Sequence, residues 1–193
     1  MAEHKLGAAN DLLHDGEMRI FELDGEKVLL ARVDGQYYAV GATCTHYGGP
    51  LAEGVLKDHA VMCPWHHACF DVRTGLRTQP PALDNLPRYE VQVVDGTVVV
   101  NFPAQAIDSG DSQIEERTDE RTFVIVGGGA AGNMAAEELR LSGFQGNIIL
   151  LSAVSNVPID RPNLSKDYLA GNAKPEWMPL RSKRWYEEHG INL

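Results

Sequence analysis

No apolar run in this chain approaches the ~18 residues that a membrane-spanning helix needs, so no membrane association is expected. The start, Met1-Ala2-Glu3-His4-Lys5-Leu6, lacks a charged-then-apolar leader, and export is not expected. Cysteine is scarce: three in 193 residues, an odd number that builds no disulfide framework and suits a reducing cytoplasm. Cations are also scarce, with 17 Lys and Arg against 27 Asp and Glu, for a net charge of −10. Such a surface disfavours nucleic acid and anionic membrane, and it suits docking on basic patches of a partner. What remains is ordinary for one or two globular domains, with 44% hydrophobic residues to build a core.

Against that background two short segments stand out. Cys44-Thr45-His46 and Cys63-Pro64-Trp65-His66 form C-x-H and C-x-x-H, separated by sixteen residues. Each offers one soft thiolate and one imidazole. Two such pairs suit a 2Fe–2S cluster in which one iron takes two Cys and the other two His, an exchange that raises the reduction potential over an all-Cys site. Four Cys and His ligands also suit tetrahedral zinc, which would make the site structural and the chain an interaction or regulatory module. Zinc sites group Cys with Cys and His with His, however, whereas each half here mixes the two.

The chain divides in two. Residues 1–102 read as β structure. Asp24-Gly25, Asp34-Gly35 and Asp95-Gly96 are each flanked by Val-, Ile- or Tyr-rich runs, and Asp-Gly supplies the positive φ angles of a tight hairpin. Hairpins are expected over Leu29–Val40 and Tyr89–Phe102, with the two ligand segments in Gly- and Pro-rich loops between them. Residues 103–121 are polar and aperiodic and read as a linker with room for a short helix. From Thr122 the pattern becomes strand (Thr122 to Val126), Gly-rich turn (Gly127 to Gly132), helix (Asn133 to Leu141, stopped by Ser142-Gly143) and strand (Asn147 to Leu151). In such a unit Gly127 permits the turn, Gly129 lets backbone approach a pyrophosphate, and Gly132 lets helix and strand pack closely. The helix N-terminus then faces the phosphates.

The ligand segments, with Gly48-Gly49-Pro50-Leu51 and His67-Ala68-Cys69-Phe70-Asp71, closely resemble the Rieske family of one-electron carriers. That resemblance implies that Cys44 and Cys63 hold the inner iron, and His46 and His66 the outer. Pro158-Ile159-Asp160-Arg161-Pro162-Asn163-Leu164-Ser165-Lys166 resembles a signature run of FAD-dependent ferredoxin reductases, in which Arg161 and Lys166 would sit near the flavin. The tail from Trp177 resembles the next helix and the start of a strand in that family. A fused order, Rieske module first and flavin reductase second, is found in the apoptosis-inducing-factor-like subgroup, and Cys63-Pro64-Trp65-His66-His67-Ala68-Cys69-Phe70 is similar to its typical run.

The expected fold is therefore an α+β chain in two parts: an all-β Rieske domain (1–102), a linker (103–121) and an incomplete Rossmann-like FAD-binding domain (122–193). The resemblance implies a cytoplasmic electron carrier with a 2Fe–2S cluster. Its donor would be a flavin reductase domain, and its acceptor an oxygenase or reductase, with FAD as the cofactor of the full-length protein. The 72 residues from Thr122 to Leu193 cover only the first strand–helix–strand of such a reductase, so the chain reads as a fragment with an open sheet edge and an uncovered apolar face.

Three departures follow from the resemblance. The ribose-binding acid would fall at Ser152 or Ala153, and neither is acidic. His67 stands where the family has Gly. High-potential Rieske proteins carry a disulfide at the positions of Gly49 and Trp65 and hydroxyls at those of Ala68 and Phe70; their loss lowers the potential. Cys69 is expected to be a buried packing residue. Trp65 is expected to shield the cluster, the Pro80-Pro81 loop to cover it, and His4, His14, His59 and His189 to lie on the surface.

Overall fold

A computed structural model describes residues 2–105 and 119–193. They fall into two compact units, residues up to 105 in the first and those from 119 in the second. The chain is an α+β protein: an all-β unit, then a parallel β-α-β unit.

The first unit contains β1 (Ala2–Ala8), β2 (Met18–Leu23), β3 (Glu26–Val33), β4 (Gln36–Gly41), β5 (Val55–Lys57), β6 (Ala60–Met62), β7 (Cys69–Asp71), β8 (Arg77–Gln79), β9 (Arg88–Val94) and β10 (Thr97–Gln105). One sheet has the order β1-β10-β9-β4-β3-β2, and a smaller one the order β5-β6-β7-β8. The three Asp-Gly pairs flanked by apolar runs each form a hairpin, with φ of 51° and 82° at Asp24-Gly25, 53° and 74° at Asp34-Gly35, and 48° and 74° at Asp95-Gly96. Positive φ at both central residues matches the right-handed twist of the flanking strands.

Strand β3 is apolar on both faces because both are covered. Leu29 and Ala31 join a core with Val40, Leu51, Val61, Phe70 and both cysteines of the ligand segments, Cys44 and Cys63. Val28 and Leu30 face the opposite way, into a second core with Leu13, Tyr89 and Val98. The two-residue period of a strand produces this division. The ligand segments lie in loops as expected, the first between β4 and β5 and the second between β6 and β7, and the short strands β5 to β8 were not expected. Three-residue strands are too short to show a period in sequence.

In the second unit, β11 (Thr122–Val126), β12 (Asn147–Leu151) and β13 (Ile191–Asn192) form a parallel sheet in that order, with α1 (Ala130–Leu141), α2 (Arg161–Leu164) and α3 (Lys183–Glu188). Helix α1 begins three residues before the expected Asn133, since Ala130 and Ala131 favour helix and Gly129 occupies the N-cap. One sheet face buries Ile148, Leu150 and Ile191 against Ala136 and Tyr186. The other leaves Val124 and Leu151 exposed and Val126 83% exposed, and among the described residues β11 is paired along one side only. Strand β10 runs to Gln105, past the boundary expected at 102. Residues 106–118, which hold most of the expected linker and its short helix, lie outside the described residues.

Candidate metal centre

The two ligand segments adopt the same backbone form. Cys44 N–H donates to Gly49 carbonyl at 2.9 Å and Gly48 N–H to Cys44 carbonyl at 2.9 Å. Cys63 N–H donates to Ala68 carbonyl at 2.9 Å, and His67 N–H to Cys63 carbonyl at 3.2 Å. Both are six-residue loops, Cys44–Gly49 and Cys63–Ala68, closed by the cysteine's own peptide groups. Each cysteine is thereby rooted in the core, 3% exposed at Cys44 and 1% at Cys63. The histidines point outward: His46 is half-buried and His66 exposed.

Although the sequence mixes Cys and His in each segment, the fold pairs like with like. The Nδ1 atoms of His46 and His66 lie 3.2 Å apart, with ring centroids at 4.9 Å. Two imidazole nitrogens at about 2.1 Å from one tetrahedral first-row ion would be about 3.4 Å apart, so the pair fits a single iron. The sulfurs of Cys44 and Cys63 approach within hydrogen-bonding reach of each other. Two pairs are what a two-iron cluster takes, each iron receiving two protein ligands.

Burial pushes the Cys44 thiol above its ordinary pKa, and the neighbouring Cys63 adds to this. The backbone N–H groups of His46 and Tyr47 donate toward the Cys44 sulfur and act the other way. A buried thiol gives up its proton when metal charge replaces it, so cluster assembly releases protons. The two N–H donors remain whatever side chains surround the sulfur, and hydrogen bonds to ligand sulfur raise the potential.

Gly49 and Trp65 face each other. A Cβ on Gly49 would lie 2.8 Å from Cys63 Sγ and 3.2 Å from Trp65 Cδ2, so only glycine lets this backbone rest on the ligand sulfur. Trp65 packs one side of its ring there but is 54% exposed, so it shields the loop less than expected. Tyr47, exposed beside the imidazoles, contacts both His46 and His66. Thr45 Oγ1 donates to Asp84 carbonyl at 2.7 Å and ties the segment after Pro80-Pro81 to the first ligand loop. Cys69 is buried, as expected. Of His4, His14, His59 and His189, only His14 lies fully on the surface. His4 bonds Asp24 at 3.0 Å, His59 sits 3.6 Å from Asp34, and His189 stacks on Trp185 with centroids 3.9 Å apart.

The repeated loop form also accounts for His67. It occupies the place of Gly48, and both have positive φ, 62° and 75°. An L-residue in this conformation costs roughly 1–2 kcal/mol relative to the right-handed region, a cost glycine escapes. His67→Gly should stabilise the first unit by about 1 kcal/mol, raising its melting temperature by about 4 °C or more. Thermal unfolding of the cluster-loaded protein checks this, and an unchanged or lower midpoint would count against it.

The second unit places the other expected residues as follows. Gly127 has φ of 126°, and a Cβ on Gly132 would lie 1.9 Å from Gly127 carbonyl oxygen. Gly129 has open space where its Cβ would be, at the uncapped N-terminus of α1. Exposed backbone N–H groups of this kind suit a phosphate. Arg161 opens α2 and Lys166 follows it, both exposed. Ser152 is packed against Gly128, and residues 152–156 carry no carboxylate. The turn thus fits a dinucleotide phosphate, while its usual ribose partner is missing.

Sequence reasoning missed the buried polar cluster behind this turn. Arg181 Nη2 donates to Glu137 Oε1 at 2.9 Å, with side chains 13% and 4% exposed. Tyr186 hydroxyl donates to Asn133 Oδ1. Arg181, far along the chain from Glu137, carries no local signal of this pairing.

The profile of the Rieske [2Fe-2S] domain matches residues 3–90. The ferredoxin component of biphenyl 2,3-dioxygenase from Rhodococcus jostii (strain RHA1) is 38% identical over 102 residues, 53% of this chain and 94% of that protein. This chain belongs to the Rieske family. Apoptosis-inducing factor 3 of Homo sapiens is 37% identical over 195 residues, covering 94% of this chain but only 31% of the human protein. The chain thus spans about a third of that relative's length. Among solved structures, the ferredoxin of carbazole 1,9a-dioxygenase from Nocardioides aromaticivorans IC177 superposes with a TM-score of 0.50 at 28% identity, over 52% of this chain and 97% of its own. This Rieske protein is also homologous to apoptosis-inducing factor 3 beyond the Rieske unit, because the alignment runs over both units. No helix among the described residues is long and apolar enough to cross a membrane.

Proposed function

We propose that the first unit is the ferredoxin module of an NAD(P)H- and FAD-dependent reductase system. Cys44 and Cys63 hold the inner iron of its cluster from within the core, and His46 and His66 present the outer iron to partners. The cluster, when bound, supplies one-electron redox chemistry. The protein's part is to keep the sulfurs dry, fix both imidazoles at one edge and tune the potential through the His46 and Tyr47 N–H groups. The observation that carries this reading is the 3.2 Å separation of the two Nδ1 atoms above two buried cysteines.

The order of the units fits this reading: a Rieske domain whose last strand reaches Gln105, then the opening of an FAD-binding domain over 122–193. Gly127, Gly129 and Gly132 would face the FAD pyrophosphate, with Arg161 and Lys166 near the flavin. The donor is then a flavin reductase domain, and the acceptor an oxygenase or reductase. Support comes from the homology to apoptosis-inducing factor 3 and from relatives that serve dioxygenases. A cytoplasmic location follows from the same role and the few cysteines.

Visible absorption before and after dithionite tests the reading. Broad brown bands that bleach on reduction are expected, with a midpoint potential below about +150 mV within the Rieske range of roughly −150 to +300 mV. A colourless protein that cannot be reconstituted with iron and sulfide would overturn the carrier role. Yellow flavin bands retained after gel filtration with FAD would support cofactor binding by the second unit, and their absence would leave it to a longer chain.

A further inference from the structure

Tyr47 follows His46 directly in sequence, and the first ligand loop fixes its backbone. The Tyr47 N–H donates toward the Cys44 sulfur, and the Gly48 N–H donates to the Cys44 carbonyl at 2.9 Å. From that root the ring extends outward and is 41% exposed, yet it does not stand free in solvent. It meets His46 edge-on, with centroids 4.4 Å apart and planes at 74°. It also reaches across to His66, at 5.9 Å and 61°. His66 belongs to the second loop, twenty residues from His46. The two imidazoles are themselves nearly perpendicular, at 84°. The three rings thus form one edge-to-face cluster at the outward end of the site.

The contact matters because the last torsion of a histidine is soft. Rotation about Cβ–Cγ has broad two-fold wells, unlike the narrow wells of an aliphatic torsion. His66 is exposed, so core packing does not hold its plane. Among the described residues its ring hydrogen-bonds to His46 alone, through Nδ1, the atom that would bind the iron. Metal-bound histidines are ordinarily oriented by a partner outside the ligand set. An edge-to-face aromatic contact can serve, because the positive rim of one ring seeks the negative face of the other and so prefers an angle as well as a distance.

We propose that Tyr47 is a positioning residue whose ring spans the two ligand loops and fixes the planes of both imidazoles on the outer iron. The proposal rests on His46 and His66 being the ligands of that iron. The plane of an imidazole sets its π overlap with the metal, and groups that orient a ligand thereby tune the centre.

The full chain is reconstituted with iron and sulfide and reduced with dithionite. The readouts are the g values of the reduced cluster and the couplings of its histidine nitrogens, measured by continuous-wave and pulsed electron paramagnetic resonance. Tyr47→Ala should shift and broaden both. Tyr47→Phe keeps the ring, removes the hydroxyl and should match the parent. Tyr47→Leu keeps apolar bulk without a flat ring and should follow alanine; it carries the test if the alanine variant loads little cluster. Loss of the visible bands to excess chelator should quicken about two- to tenfold in the alanine and leucine variants, as the loss of one aromatic pair implies. Parent-like g values and nitrogen couplings in Tyr47→Leu would overturn the proposal and leave the ligand assignment standing. So would a phenylalanine variant that departs from the parent as far as alanine does. A parent cluster with no coupled nitrogen would remove the ligand assignment itself, and the proposal with it.

Discussion

Cys63→Ser is expected to abolish the visible chromophore, leaving iron content near zero and lowering the melting temperature of the first unit. Three features make the effect large. The side chain is 1% exposed inside the core that joins the two sheets, so no water or outside ligand can take its place. It neighbours Cys44, and on the proposed assignment its loss would leave the inner iron with one protein ligand. Cluster binding is also folding free energy, because a preformed site does not persist in an unfolded chain. Cys69→Ser is the control. Cys69 Sγ contacts His67 carbonyl at 3.4 Å and Gln79 Oε1 at 3.5 Å, away from the paired sulfurs. It should retain the brown bands. Metal analysis and absorption of both variants, purified alike, separate the roles; a brown Cys63→Ser protein or a colourless Cys69→Ser protein would refute the assignment.

Glu137→Ala should destabilise the second unit by about 3–5 kcal/mol, the usual cost of leaving one member of a buried ion pair without its partner. For a unit of this size that is a large share of the total, at roughly 0.05–0.15 kcal/mol per residue. Arg181, now 13% exposed and 5.0 Å from the Trp185 ring centre, would lose its Glu137 carboxylate. Tyr186, whose hydroxyl burial and the Glu137 charge hold above the usual phenol pKa, would lose part of its surroundings as well. Limited proteolysis should cut the second unit rapidly while the visible bands of the first persist. The double variant Glu137→Leu with Arg181→Met replaces the pair by apolar groups and should recover most of the loss. Equal protease resistance in the single variant and the parent would contradict the argument.

Much of this was legible in the sequence for identifiable reasons. The Asp-Gly hairpins were readable because the pair requires φ values that few other residues accept. Strands β11 and β12 were readable because they are short unbroken apolar runs bounded by turn signals, although most of β11 proves to be exposed. The ligand segments were readable because metal ligands are chemically rare. What escaped depended on distance along the chain. Nothing near Glu137 marks Arg181 as its partner, and nothing near Tyr47 signals its contact with His66. His67 fell between the two: its oddity was visible in sequence, but the cause became clear only when its loop proved to have the backbone form of the Gly48 loop.

The outward placement of His46 and His66 on one edge, above cysteines sealed in the core, has a kinetic consequence. On the proposed assignment of the cluster ligands, electrons would enter and leave at a single pole. A donor and an acceptor that both needed it would exclude each other, so delivery would proceed by turns, and a large excess of either partner would throttle the flow.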